Sequence, residues 1–301
     1  MNWIVFNAFV LALLALDLGV FNRRPHVVSA REAALWSAFW VTLSLLFNLG
    51  VFLRYGPESG MQFFTSYILE KSLSTDNVFF FAVIFGSMGV LAKYQHRVLF
   101  WGVLGAVVMR GIFIVAGAHL VQRFHGVMYV FAAFLVFTGV RLLRQKERKF
   151  DPSHSLAVRM ARRVFPISAD DEGGRFFTRR GGRLHATHLF LVLIIIEVVD
   201  IAFAIDSIPA IFAVTQDAFI IYTSNILAIL GLRSLYFLLA RAVVRFRYLR
   251  TGLAAILILV GAKMLAAFWL HIPTAVSLLG ILIILSIAIA ASSMAERSHK
   301  A

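Results

Sequence analysis

Three carboxylates stand inside one long apolar run of this sequence. The run extends from Leu189 to Val214, and its acidic residues are Glu197, Asp200 and Asp206. An apolar run of this length is typical of a membrane-spanning helix. A carboxylate inside such a helix costs about 3 kcal/mol unless it is paired, hydrated or bound to a cation. The rest of the chain must therefore supply partners for these acids.

The composition agrees with a membrane protein made of several helices. Hydrophobic residues make up 60% of the chain and charged residues only 15%, whereas soluble domains carry about a quarter charged residues. The first segment, from Trp3 to Phe21, lacks both a basic start and a small-residue cleavage site, so we predict a retained helix. The absence of cysteine excludes disulfides and thiolate metal sites.

The positive charges predict the orientation in the membrane. We predict nine spans, at 2–21, 35–53, 62–91, 98–120, 124–143, 187–214, 218–240, 251–270 and 274–294. Most Lys and Arg residues fall in the segments on one side of the membrane, at 22–34, 92–97, 141–186, 241–250 and 295–301. The alternate segments hold only Arg54 and Arg123. The positive-inside rule then places the N-terminus outside and the C-terminus in the cytoplasm. The net charge of +14 is thus a signal of topology and of attraction to lipid rather than of nucleic-acid binding.

A second acidic segment resembles the first. Its block from Glu70 to Asn77 aligns with 200–207, so that Glu70 falls on Asp200, Asp76 on Asp206 and Asn77 on Ser207. The helices that follow match at Gly102 and Arg110 with Asn225 and Arg233, and then at Gly139 and Arg141 with Gly261 and Lys263. Each unit contains three spans, so the two units enter the membrane from opposite sides. This is the inverted repeat of secondary transporters, whose substrate site lies at the repeat interface.

The repeat divides the chain into five parts. Two peripheral helices occupy 1–61, the first repeat 62–143, a basic cytoplasmic linker 144–186, the second repeat 187–270, and the last helix with its tail 271–301. The linker contains glycine pairs at 173–174 and 181–182 and residues of both charges. Such a composition favours a flexible tether, with a regulatory or partner-binding role as the alternative.

The polar groups of the two acidic spans predict a site for a hard divalent cation. Oxygen ligands alone suit Mn²⁺, Mg²⁺ or Ca²⁺ better than Zn²⁺ or Cu⁺. The predicted metal-handling residues are Glu70, Asp76, Asn77, Asp200, Asp206 and Ser207. We assign proton coupling or support of the ligands to Glu197, Lys71 and Ser74, and the role of counter-ion or gate to Arg110, Arg233 and Lys263. Asn225 is interpreted as a hydrogen bond between helices.

Regular helix geometry argues against one site that contains all of these acids. Six residues turn a regular helix through about 600°, which leaves Glu70 and Asp76 roughly 120° apart around the axis. We therefore predict breaks near 72–77, from competing hydroxyls, and near 205–209, from Pro209. Asp76 and Asp206, beside these breaks, should then be the most sensitive acids, followed by Glu70 and Asp200. Asp17, outside the repeat, should matter least.

The motif segments resemble those of the TerC family, close to its Alx branch. The resemblance rests on EKSLSTDNVFFF at 70–81, IEVVDIAFAIDSIPAIFAVT at 196–215 and TSNILAILGLRSLYFLL at 223–239. It implies a bacterial inner-membrane protein that exports Mn²⁺, with the acids of the two motif helices handling the metal. His188 and Val199 depart from the residues expected in the family, and neither removes a predicted ligand.

Two hypotheses of different classes follow. The first is a secondary transporter for divalent cations, coupled to protons, with no resident cofactor. The second is a membrane scaffold or stress-complex subunit, in which the acids pair with Arg110 and Arg233 only to hold helices together. No enzyme signature is present. The sequence names no protein partner.

Overall fold

The computed structural model describes residues 2–16, 28–124, 126–144, 174–180, 183–239, 248–267, 269–270 and 272–300. These residues are almost entirely helical. The helices are α1 (Asn2–Leu16), α2 (Ala30–Tyr55), α3 (Pro57–Ser87), α4 (Ala92–Arg123), α5 (Val127–Arg144), α6 (His188–Phe212), α7 (Ala218–Leu230), α8 (Leu232–Leu239), α9 (Leu249–Ala266) and α10 (Thr274–Lys300). Two short strands, β1 (Phe177–Arg180) and β2 (Arg183–Ala186), precede α6.

Several of these helices are long and apolar enough to cross a membrane. Six segments meet both conditions: α2, α4, α5, α6, the α7–α8 segment, and Thr274–Ala295 of α10. The helix α1 contributes a shorter apolar stretch, Trp3–Ala15. The helix α3 is not among the six, because Glu70, Lys71 and Asp76 lie in its middle. The chain is therefore a multi-pass membrane protein, and crossings by α1, α3 and α9 remain predictions.

Local signals set the junction between α2 and α3. Ser29 and Glu32 form a capping box that starts α2 five residues before the predicted span. Gly56 ends that helix with φ of 95°, a left-handed conformation that favours glycine. Pro57 then begins α3, at a position where a helix does not use the missing N–H. The two helices therefore follow one another after a single residue.

The two acidic helices, α3 and α6, run antiparallel. Three hydrogen bonds join them from one end to the other: Gln62 with Thr215 (2.7 Å), Asn77 with Asp200 (3.2 Å) and the Met88 carbonyl with His188 (2.8 Å). The residue numbers rise on one helix as they fall on the other. The most completely buried residues lie on α3, α4, α6 and α7, so these four helices form the centre of the fold.

Both acidic helices are continuous, and the predicted breaks are wrong. The hydroxyls of Ser72 and Thr75 donate to carbonyls of their own helix four residues earlier, at 2.6 and 3.3 Å, which leaves the helical bonds in place. Pro209 lies within the last turn of α6, where the loss of one backbone donor does not interrupt the helix. The interruption instead occurs between α7 and α8, at Gly231.

Glycines allow two further helix pairs to approach closely. A Cβ at Gly139 of α5 would lie 2.8 Å from the Ala254 carbonyl of α9, and a Cβ at Gly261 of α9 would lie 2.9 Å from the Ala132 carbonyl of α5. Small residues at such positions let membrane helices pack backbone to backbone. On α4, Gly102 and Gly117 instead make room for side chains of α6, those of Ile196 and Phe212.

The end of the predicted linker is ordered. The strands β1 and β2 form an antiparallel hairpin that pairs Phe177 with Ala186 and Arg180 with Arg183. Arg97 of α4 holds its base by donating to the Gly174 carbonyl at 2.9 Å and by lying over the Phe176 ring. The prediction of a flexible tether is therefore wrong for this part of 144–186. Residues 145–173 lie outside the described part of the chain.

Candidate functional site

A fully buried arginine occupies the centre of the fold. Arg110 of α4 has no exposed surface, and its guanidinium forms ion pairs with Glu70 of α3 and Asp200 of α6. Asp200 accepts from Nε at 3.4 Å and from Nη2 at 3.3 Å, so both of its oxygens face the arginine. The paired charges explain how these three groups are tolerated among apolar helices.

Neutral polar groups complete this arrangement. Asn225 of α7 accepts from Arg110 at 3.0 Å and donates to Glu70 at 3.2 Å, and Ser207 of α6 accepts from Arg110 at 3.4 Å. Ser74 donates to Glu70 at 3.2 Å. We call the resulting set the arginine cluster; it consists of Arg110, Glu70, Ser74, Asn77, Asp200, Ser207 and Asn225. Four helices contribute to it, which explains why no single stretch of sequence contains it.

One oxygen of the arginine cluster has no hydrogen-bond partner among the described residues. Asn77 is 1% exposed and donates from Nδ2 to Asp200, while its Oδ1 accepts no hydrogen bond from the described residues. A buried amide oxygen without a donor is uncommon, because it loses the hydrogen bonds that water would supply. Such an oxygen beside a carboxylate is suited to a cation or to a bound water.

The other two predicted ligands lie elsewhere. Asp206 accepts from Thr138 of α5 at 3.5 Å and is attracted by Arg141 of the same helix. Asp76 is attracted by Arg250 of α9. We call Asp76 and Asp206 the outlying aspartates. Both are partly buried, and they face the α5–α9 pair instead of Arg110.

Glu197 lies next to the arginine cluster without joining it. It precedes Asp200 by about one turn of α6, and the two carboxylates repel one another. Its carboxylate contacts α4 at Gly105, where a Cβ would overlap it. Glycine at this position of α4 therefore makes room for a partly buried acid between α4 and α6.

The remaining predicted cations lie at three different places. Lys71 donates to the Ala228 carbonyl at 3.2 Å and lies against Gly231, so it stabilises the end of α7 at the interruption. Arg233, 8% exposed, belongs to the first turn of α8. Lys263, partly buried, belongs to the last turn of α9. Asp17 lies outside the described residues.

The single site predicted from the sequence is thus divided. The structure brings Glu70, Asp200, Asn77 and Ser207 together, and it separates Asp76 and Asp206 from them. Within the described residues, no group of three or more acidic or histidine side chains is arranged to hold one metal ion. The reason is the regular helix: without breaks, the 120° between Glu70 and Asp76 persists.

Sequence reasoning identified the contributors to these sites only in part. Asn225 does form hydrogen bonds between helices, as interpreted, but that its partners are the charged groups Arg110 and Glu70 was not foreseen. Thr138, next to the repeat match at Gly139, gave no sign of its contact with Asp206. Gly231 had no detectable signal, because an isolated glycine in an apolar run does not by itself indicate a break.

Comparison with known proteins identifies the family. The family described as integral membrane protein TerC family matches residues 55–300. The chain belongs to this family. The match includes α3 to α9 and therefore the arginine cluster and the outlying aspartates. No solved structure matches the chain significantly.

Similar proteins occur in several bacteria. A membrane protein of Myxococcus xanthus, STKORF319, is 51% identical over 98% of this chain and 92% of its own length. A membrane protein of Rickettsia bellii is 41% identical over 97% of both chains. The Alx protein of Escherichia coli K12, named as a candidate membrane-bound redox modulator, is 45% identical over 92% of this chain and 89% of its own length.

Proposed function

We propose that this chain is a secondary transporter that exports a hard divalent cation, with Mn²⁺ as the first candidate, across a bacterial inner membrane. The observation that carries the proposal is the arginine cluster. It gathers two carboxylates, two amides and two hydroxyls in the buried centre of a membrane protein, with no nitrogen or sulfur ligand. Oxygen sets of this kind suit Mn²⁺, Mg²⁺ and Ca²⁺. The Asn77 oxygen, which accepts no hydrogen bond from the described residues, is free to act as one further ligand.

The packing of the helices supports an inverted repeat around this cluster. Gly139 approaches Ala254, and Gly261 approaches Ala132. Ala132 is separated from Ala254 by as many residues as Gly139 is from Gly261, so each residue of the first repeat corresponds to its counterpart in the second. Exchanging the two repeats therefore converts one contact into the other. Reciprocal contacts of this type are expected across a twofold axis. The antiparallel course of α3 and α6 also agrees with units that enter the membrane from opposite sides.

The proposed topology has nine crossings, with the N-terminus outside and the C-terminus in the cytoplasm. The charge distribution along the sequence supports this topology. The hairpin supports it too, because its basic residues lie at the predicted cytoplasmic end of the fold, where α3 ends and α4 begins. The two repeats, at 62–143 and 187–270, form the transport unit, and 1–61 and 271–301 pack around it.

Glu197 is the proposed acceptor of the coupled proton. It stands between α4 and α6, about one turn from Asp200, and is partly exposed where Asp200 is buried. A carboxylate in that place can exchange a proton with solvent while its charge acts on the cation site. Lys71 and Ser74 support Glu70 from α3 itself, through charge and through a hydrogen bond.

A scaffold or redox role is the alternative. The relatives named Alx carry a description as redox modulators, and the ordered hairpin offers a docking surface for a scaffold. The chain has no cysteine, so thiol–disulfide exchange by its own side chains is impossible. Export of a redox-active metal would instead alter the redox state of the cell indirectly.

A flux assay in reconstituted vesicles tests the proposal. Purified protein should move Mn²⁺, measured against Mg²⁺, Ca²⁺ and Zn²⁺ with and without a pH gradient. Asp200→Asn should abolish the flux, whereas Glu58→Gln, an exposed acid on α3, should leave it unchanged. If the vesicles move none of these cations, the transport function is wrong. If Asp200→Asn moves Mn²⁺ as fast as the unaltered chain, the arginine cluster is not the site of transport. Loss of stress resistance on removal of the hairpin, with flux intact, would favour the scaffold.

A further inference from the structure

Arg110 occupies the place that a cation would take. Its guanidinium contacts oxygens of Glu70, Asp200, Ser207 and Asn225. Each of these atoms is also a suitable ligand for a hard dication. The arginine therefore contacts the same set of groups on which the proposed function depends.

The same oxygens cannot serve both partners at once. Asp200 directs one oxygen to Nε and the other to Nη2, so neither faces away from the guanidinium. Glu70 likewise divides its oxygens between Arg110 and Asn225. A dication bound within about 2.2 Å of these carboxylates would occupy the lone pairs that now accept from Arg110, and its charge would repel the arginine.

Because the cluster is buried, its two acids need a positive charge whether or not the cargo is bound. The Arg110 side chain has no exposed surface, and the cluster contains two acids for one arginine. Without a cation of some kind, Glu70 and Asp200 would be two uncompensated charges in the centre of the fold. A resident cation lowers this cost when the cargo is absent.

We propose that Arg110 competes with the transported dication for Glu70 and Asp200, so that arginine and cargo occupy the cluster in alternation. This inference rests on the proposed transport function and adds to it a built-in competitor. Arg110 keeps the empty site closed and balances one of its two negative charges, and it must leave for the cargo to bind. When Arg110 returns, it displaces the cargo from the carboxylates and so prevents the site from holding the cargo too tightly.

A purely structural arginine would behave differently. If Arg110 only locks helices together, its removal disorders the oxygen ligands and weakens cation binding. If it competes, its removal strengthens binding and slows release. The direction of the change in affinity therefore distinguishes the two roles, and loss of transport alone does not.

The experiment measures Mn²⁺ affinity and export on the same protein in lipid nanodiscs and vesicles. Arg110→Gln should bind Mn²⁺ at least about tenfold more tightly than the unaltered chain and export it at least about tenfold more slowly. Arg110→Lys keeps a competing charge and should stay within about threefold of the unaltered affinity. The gain should disappear in the double variant Arg110→Gln with Asp200→Asn. An unchanged or weaker affinity in a folded Arg110→Gln protein would overturn the proposal.

A second measurement uses the unaltered chain and does not depend on the folding of a variant. Phenylglyoxal reacts with arginines that it can reach and reacts slowly with one that is buried in ion pairs, and mass spectrometry can follow the peptide that contains Arg110. Saturating Mn²⁺ should increase the rate of its modification several-fold, because the cargo displaces the guanidinium. No increase, in a protein that transports Mn²⁺, would overturn the competition and leave the transport function standing. Absence of flux and of binding in every protein would instead contradict the transport function itself.

Discussion

The two pairs of acids in this chain have different surroundings, although each repeat contributes one residue to each pair. Glu70 and Asp200 are buried around Arg110 in the arginine cluster. The outlying aspartates, Asp76 and Asp206, are partly buried and face α9 and α5. A spacing of six residues on a continuous helix thus distributes two acids to two faces. The comparison teaches that equal motifs in sequence need not form one site.

The difference also reverses the ranking that the sequence predicted. Asp76 and Asp206 were expected to be the most sensitive because of helix breaks beside them, and no breaks are present. Their neighbours Asn77 and Ser207 lie on the other side of the helices, with Asp200 and Arg110. We therefore expect the largest effects in the arginine cluster and smaller effects at the outlying aspartates.

The largest effect is expected when one acid of the arginine cluster is neutralised. Asp200→Asn or Glu70→Gln keeps the shape of the side chain but removes one of the two carboxylates of the arginine cluster. Loss of one buried charged ligand, worth about 3 kcal/mol to a bound dication, lowers Mn²⁺ export more than about 100-fold. Flux and thermal unfolding should be measured together. Normal export by either folded variant would contradict the comparison.

An intermediate effect is expected at Asn77. Asn77→Leu removes the oxygen that has no partner among the described residues and the bond to Asp200, so the apparent KM for Mn²⁺ should rise about tenfold, or about 1.4 kcal/mol. Asn48→Leu on α2 is the matched control, because its Oδ1 also lacks a partner in the described part of the chain. Equal changes in the two variants would show that the Asn77 oxygen has no special role.

A smaller effect is expected at the outlying aspartates. Asp76→Asn and Asp206→Asn should each reduce export by no more than about fivefold, since these partly exposed acids are attracted by Arg250 and Arg141 and make no ion pair with Arg110 in the described part of the chain. An effect of about 1 kcal/mol is typical of a partly exposed charge pair. The same vesicle assay checks it. If either variant loses as much export as Asp200→Asn, the division into two regions fails functionally.

The smallest effect is expected at Lys71, which follows Glu70 on α3 and contacts the end of α7. Lys71→Met keeps the length of the side chain but removes the donor to the Ala228 carbonyl, at the end of α7. Loss of one such hydrogen bond should lower the free energy of unfolding by about 1–2 kcal/mol, and export should change less than in Asn77→Leu. Thermal unfolding in nanodiscs measures the first quantity. A loss of export as large as that of Glu70→Gln would give Lys71 a direct role.

Much of the fold could be predicted from the sequence. The apolar runs located the helices, because each backbone group in a bilayer must be satisfied within its own segment. Boundaries were less accurate where local capping decided them: the box at Ser29 and Glu32 lengthens α2, and Pro57 starts α3 five residues early. The hairpin at the end of the linker was missed, since its docking depends on Arg97 of α4, a residue distant in sequence.

The sequence by itself determined that this chain places acids inside a membrane and which residues they are, because side-chain chemistry and apolar length are local properties. Only the tertiary structure decided which acids share a site. The residues that gather around Arg110 come from α3, α4, α6 and α7, and their meeting depends on the rotation and antiparallel course of whole helices. A regular helix fixes the angle between two of its residues. The groups that each residue contacts are decided by packing between helices that are far apart in the chain.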